Sequence, residues 1–167
     1  MLRVVSLREA SKYMLIALGL HFVCLLLHII GFSAPYWIYV SGQFETNIGL
    51  WRGCFMGFCR NNGNATDWLN TVQGLETTAL VTLFGSIVCL LGYKLKSNKI
   101  CIKLSMVATI ITGILIMSGV IVYAANSVYD GVDLGWAFYI EILASLITIP
   151  AVSVLPFELR NVGYLEL

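Results

Sequence analysis

Four long apolar runs, Met14 to Phe32, Leu75 to Tyr93, Cys101 to Ala125 and Leu134 to Pro156, alternate along the chain with polar or aromatic connections of unequal length. A bilayer core is about 30 Å thick and a helix rises about 1.5 Å per residue, so one crossing needs roughly 20 mainly apolar residues. Each run meets that length. The pattern predicts a mainly α membrane protein, an antiparallel four-helix transmembrane bundle with a small extracellular antiparallel β-sheet. Residues 1–167 form a single domain, with spans 14–32, 75–93, 101–125 and 134–156, outer connections over 33–74 and 126–133, and inner segments 1–13, 94–100 and 157–167. Composition agrees: 59% of residues are hydrophobic and 11% charged, with a mean hydropathy of +0.86. Such values lie outside the range of soluble globular domains.

Charge placement sets the expected orientation. Arg3, Arg8 and Lys12 precede the first run, Lys94, Lys96, Lys99 and Lys103 crowd the short link between the second and third, and Arg160 follows the fourth. Only Arg52 and Arg60 lie in the remaining connections. Lysine and arginine concentrate on the cytoplasmic side of membrane proteins, so both termini and the basic link are expected inside and residues 33–74 outside. A net charge of +1 gives no reason to expect nucleic acid as a partner. Basic residues followed by an apolar run ending in Gly31-Phe32-Ser33-Ala34 superficially fit a cleaved signal peptide, but the run is longer than a usual signal core and Pro35 would follow the cut.

The long outer connection has the composition of strands. Pro35 to Val40 suits one, Ser41-Gly42 breaks it, and Phe44 to Phe58 resumes before a polar stretch, Arg60 to Asp67. Four residues separate Cys54 from Cys59, which fits a hairpin tip, and cysteines on the oxidising side of a membrane are expected to pair; two free thiols are the alternative. So short a closed loop contributes only about 2 kcal/mol, fixing loop shape more than the whole fold. Phe55, Met56 and Phe58 gather apolar surface at that tip, for contact with protein or membrane, or for folding back on the bundle. Asn64-Ala65-Thr66 is an N-glycosylation acceptor, so Asn64 is expected to carry a glycan. Cys24, Cys89 and Cys101 lie in or beside spans and are expected to be reduced, the last two as palmitoylation candidates.

Trp37, then Gly49-Leu50-Trp51, then Cys54 and Cys59 form a pattern that resembles the superfamily containing the claudins, the peripheral myelin and epithelial membrane proteins and the lens fibre membrane proteins. Trp68 to Gln73 looks like the myelin and epithelial branch, and Gly135 to Tyr139 is similar to a segment common in the superfamily. The cysteine spacing and Gly49-Leu50-Trp51-Arg52 look most like the lens fibre branch, since typical claudins place the cysteines further apart. The resemblance implies that Trp37, Leu50 and Trp51 pack an outer sheet onto the end of a helix bundle. Indole rings also favour the headgroup level, so interfacial anchoring is a second role for both tryptophans. Glu45, Arg52, Arg60, Asp67 and Glu76, all counted as outer-loop charges, are nearly balanced and offer no electrostatic filter for either ion sign.

Within the spans, small and polar residues recur at intervals of four. Gly74, Thr78, Thr82 and Ser86 form one expected ridge, Ser105, Thr109 and Gly113 another, and Ala137, Glu141 and Ser145 a third, allowing close helix contact. A charged acid in hydrocarbon costs about 2.5 to 3.5 kcal/mol on insertion scales, so Glu141 needs a partner, water or a proton. His28 lies at a matching depth and is the expected partner. His21, Cys24 and His28 share one face of the first span, but no further ligands stand at metal spacing, so neither metal nor other cofactor is expected. No catalytic constellation occurs, and without an internal repeat or broken helix proton-coupled transport is a poor fit.

The sequence thus predicts no enzyme. It predicts a protein of the plasma membrane, and by its resemblance of cell junctions, acting in cell contact or membrane organisation through its outer sheet. Its expected partners are the lipid bilayer, further copies of itself and other membrane proteins. The alternatives are an auxiliary subunit that modulates a channel or receptor and, third, a paracellular barrier component. The tail Tyr164-Leu165-Glu166-Leu167 places Leu165 and Leu167 where a PDZ domain would read them.

Overall fold

The computed structural model describes residues 11–40, 46–62, 66–96, 98–127 and 132–164. Four long helices, α1 (Lys12–Ser33), α2 (Asp67–Lys96), α3 (Lys99–Ser127) and α4 (Trp136–Tyr164), form a bundle. α1 packs chiefly on α4 and α2 on α3. Strands β1 (Ile38–Val40), β2 (Thr46–Ile48), β3 (Arg52–Phe55), β4 (Phe58–Asn61) and β5 (Val132–Leu134) form one sheet in the order β4-β3-β2-β1-β5, with every neighbouring pair antiparallel.

Each helix contains a stretch long and apolar enough to cross a membrane. Their packing faces follow from the spacing of buried residues. On α1 the buried row is Met14, Ala17, His21, Cys24, His28 and Gly31, alternating steps of three and four. α2 repeats the pattern through Leu69, Val72, Glu76, Ala79, Leu83, Ser86, Leu90 and Tyr93. Such alternation keeps one stripe of a helix against its neighbours. The outward faces are the more uniformly apolar ones: Leu15, Phe22 and Leu26 on α1 and Val81, Phe84 and Leu95 on α2 are exposed. Thr77 and Thr78, also outward, donate their hydroxyls to the carbonyls of Gln73 and Gly74 one turn back. Hydroxyls satisfied within their own helix carry little penalty in hydrocarbon.

Three features depart from the sequence expectations. The ridge proposed on α2 does not act as one, because Gly74 and Thr78 are exposed while only Thr82 and Ser86 turn toward α3. Four residues advance a helix about 40° beyond a full turn, so three such steps carry a row about 120° around the axis. The connection over 126–133, for which the sequence suggests no strand, contributes β5, which pairs with β1 in the register Ile38 to Leu134 and Val40 to Val132. α2 begins at Asp67, eight residues before its apolar run, because Leu69 and Val72 are buried beneath the sheet although Asn70, Thr71 and Gln73 around them are polar. α4 likewise continues past Pro156 and holds Pro150 as well, each proline removing one backbone hydrogen bond from a helix whose neighbours hold it in place.

Glycines permit close approaches at the join between sheet and bundle, at Gly49 and at Gly135. A Cβ on Gly49 would overlap the carbonyl oxygen of Ala34 and lie 2.6 Å from Cα of Pro35, both backbone atoms that no rotamer change can move aside. Gly49→Ala is therefore expected to destabilise the protein by about 1–3 kcal/mol, the range for overpacking. A thermal unfolding midpoint in detergent equal to that of the unsubstituted protein would refute this packing.

Candidate functional site

The sheet end of the bundle is organised by Trp37. Its ring is fully buried, its Nε1–H donates to the carbonyl of Gly31 at 2.8 Å, and it stacks obliquely on Tyr123 at 4.7 Å with Phe138 edge-on at 6.0 Å. Its backbone N–H donates to Ile48 and its carbonyl accepts from Gly135, tying β1 to both flanking segments. Leu50 is equally buried. Trp51 differs from the other two: it is 36% exposed and lies edge-on to Phe32 at 5.1 Å, on the rim of the join. The Leu50 turn is held by Asn62, not singled out from the sequence, which donates to the carbonyls of Gly49 and Leu50, and by Gln73 of the Trp68 to Gln73 segment, which donates to Leu50 at 2.7 Å.

Beyond that turn, β3 and β4 form a hairpin in which Cys54 faces Cys59 and the two are joined in a disulfide. Met56 and Gly57 both adopt positive φ, 49° and 81°, the combination that closes a two-residue turn matching strand twist. The tip points away from the helices: Phe55, Met56 and Phe58 are 52%, 55% and 85% exposed. Asn64, Leu165 and Leu167 lie outside the described residues.

Just beneath Trp37 the bundle contains a buried polar centre. Nδ1 of His28 on α1 lies 2.8 Å from Oε2 of Glu141 on α4, the two residues matched by depth in the sequence. The third member is Glu76 of α2, whose Oε2 is 3.8 Å from the same nitrogen and whose backbone carbonyl lies 3.1 Å from Nε2. A carbonyl can only accept, so Nε2 carries a hydrogen and Nδ1 faces the carboxylates. All three side chains are fully buried. Glu76, counted with the outer-loop charges in the sequence, is instead an interior residue of α2. Its signal was its place on the stripe of Val72, Ala79 and Leu83, which hydropathy alone does not reveal where every face is apolar.

His21 belongs to a separate network, and the shared face of His21, Cys24 and His28 does not converge on one point. Nδ1 of His21 donates to Ala17 at 2.7 Å, while Nε2 meets the hydroxyls of Thr109 at 2.8 Å and Ser86 at 3.0 Å. Ser86 also reaches Ser105 at 2.7 Å, joining α1, α2 and α3. Cys24 donates to the carbonyl of Ala144 on α4.

No protein-family model matches the chain, and no curated protein matches it significantly.

The buried centre gives a direct expectation. Removing one partner of a buried pair strands the other and typically costs about 3–5 kcal/mol, whereas contacting residues lose less together than the sum of their separate losses. His28→Ala and Glu141→Ala are each expected to lower stability strongly, with the double variant recovering at least about 1 kcal/mol of that sum. Strictly additive losses in unfolding measurements would contradict a direct interaction.

Proposed function

We propose that this chain is a four-span membrane protein of claudin-like layout. It acts without catalysis at the plasma membrane, including cell junctions, where its outer sheet makes lateral or cell-to-cell contacts and its helices form the platform. The observation that carries this reading is the hairpin tip. Phe55, Met56 and Phe58 stand exposed on a two-residue turn closed by Cys54 and Cys59, at the opposite end of the sheet from β5. Exposed apolar clusters of this kind mark contact surfaces, and a fixed tip loses little conformational freedom on binding. The Trp37, Gly49-Leu50-Trp51, Cys54 and Cys59 pattern supports the layout.

Met56→Ser combined with Phe58→Ser is expected to leave the amount of protein at the cell surface unchanged while reducing its self-association several-fold, read by energy transfer between tagged copies. Equal association at equal surface density would remove the tip from the interface and favour the auxiliary-subunit reading.

The proposed orientation rests on eight of the ten lysines and arginines falling to one side. Tags at either terminus are expected to bind antibody only after permeabilisation. Labelling of an N-terminal tag on intact cells would reverse the sheet to the inner side and defeat the contact role.

A further inference from the structure

The centre formed by His28, Glu76 and Glu141 has more acceptors than donors. Both carboxylate oxygens of Glu76 and Oε1 of Glu141 are buried without a hydrogen-bond partner among the described residues. The imidazole does not reach these three atoms: its Nε2–H is directed to the carbonyl of Glu76, and Nδ1 shares one hydrogen with Oε2 of Glu141. Nδ1 and one oxygen from each carboxylate lie within 4.8 Å of one another. Two glycines on the neighbouring helices make the space. A Cβ on Gly31 would lie 2.6 Å from Oε1 of Glu141, and one on Gly119 would overlap Oε1 of Glu76.

The geometry points to a binding site for one divalent transition-metal ion of the zinc class, held by Nδ1 of His28 and the carboxylates of Glu76 and Glu141. Mixed imidazole and carboxylate donors suit zinc and its neighbours, whereas calcium and magnesium take sets of oxygen alone. Either carboxylate supplies one oxygen or two, so the three side chains complete a four-coordinate shell among themselves. Two negative charges and a neutral imidazole match a dipositive ion, which removes the cost of burying two carboxylates together. The bond from Nε2–H to a main-chain carbonyl orients the ring as the outer partners of metal-bound histidines do. Ligands from α1, α2 and α4 meet only in the assembled bundle, so the ion binds the folded chain and stabilises it.

This site is independent of the contact role proposed for the hairpin. Its test uses the full chain in detergent with an affinity tag that contains no histidine, stripped with a chelator and then titrated with zinc chloride or cobalt chloride. The expected result is one zinc per chain by elemental analysis after desalting, and an unfolding midpoint raised by about 5 °C or more at a hundredfold excess over the dissociation constant. Cobalt is expected to show the visible absorption of a protein-bound ion. Glu76→Gln and Glu141→Gln, near-isosteric and retaining Cys24, Cys89 and Cys101, are expected to weaken binding at least tenfold and abolish the midpoint shift. The unsubstituted chain serves as its own control, so a variant that fails to fold does not decide the matter. Absence of bound metal with no change in midpoint would overturn the proposal and leave a proton between Nδ1 and the carboxylates. Stoichiometric binding that survives both substitutions would overturn it equally, assigning the ion to the thiols or the surface.

Discussion

Burying two carboxyl groups and an imidazole at one level of an apolar bundle is the constraint from which the rest of the architecture follows. A lone charged group in hydrocarbon is costly, and a pair is tolerable only when its geometry is close and its remaining atoms are satisfied. His28, Glu76 and Glu141 meet this by coming from three different helices, so α1, α2 and α4 must converge at one depth with their rotations fixed. Apolar packing alone would specify this poorly, because the buried row of α1 offers only small or polar side chains besides Met14, while leucine, isoleucine and valine crowd its outward face. The network of His21, Ser86, Ser105 and Thr109 plays the corresponding part nearer the middle, where it registers α3 against α1 and α2.

The sheet depends on the same turn of α1. Gly31 lies three residues after His28: its missing side chain admits Glu141 on one side, and its carbonyl accepts the indole of Trp37 on the other. One turn of helix therefore couples the buried acids to the residue that anchors β1. From Trp37 the order spreads through backbone bonds to β2 and to Gly135 at the start of α4, then through Leu50, Asn62 and Gln73 to the hairpin. A rigid base of this kind is what an exposed tip needs if its contacts are to be specific, since the freedom it would lose on binding is already restricted.

Much of this was legible in the chain. Helix number followed from the length of the apolar runs, and the hairpin from the four residues that separate Cys54 from Cys59. His28 and Glu141 were matched because both are polar interruptions whose depth can be counted from the ends of their runs. What escaped was of two kinds. Glu76 sits at the edge of its run, where hydropathy cannot distinguish a loop from the first buried turn of a helix; only the three-and-four spacing from Leu69 through Val72 places it inside. β5 is three residues long, and its pairing with β1 is set by tertiary contact across nearly a hundred residues of sequence, which no local signal encodes. The small-residue ridge on α2 failed for a geometric reason, because a strict interval of four drifts around a helix that repeats every 3.6 residues, whereas the shorter rows Ser105–Thr109 and Ala137–Glu141–Ser145 stay buried.

The dry centre between the helices is tested most directly at the ring of His28. Nitrogen-resolved NMR of the protein labelled at histidine, with His21 distinguished by its substitution, reads hydrogen occupancy and exchange at each ring nitrogen. Burial between α1, α2 and α4 predicts a hydrogen held on Nε2 by the carbonyl of Glu76, exchanging slowly with water. An imidazole whose two nitrogens exchange rapidly and equivalently with solvent would contradict a dry, interlocked centre, and with it the physical basis for the arrangement of helices and sheet.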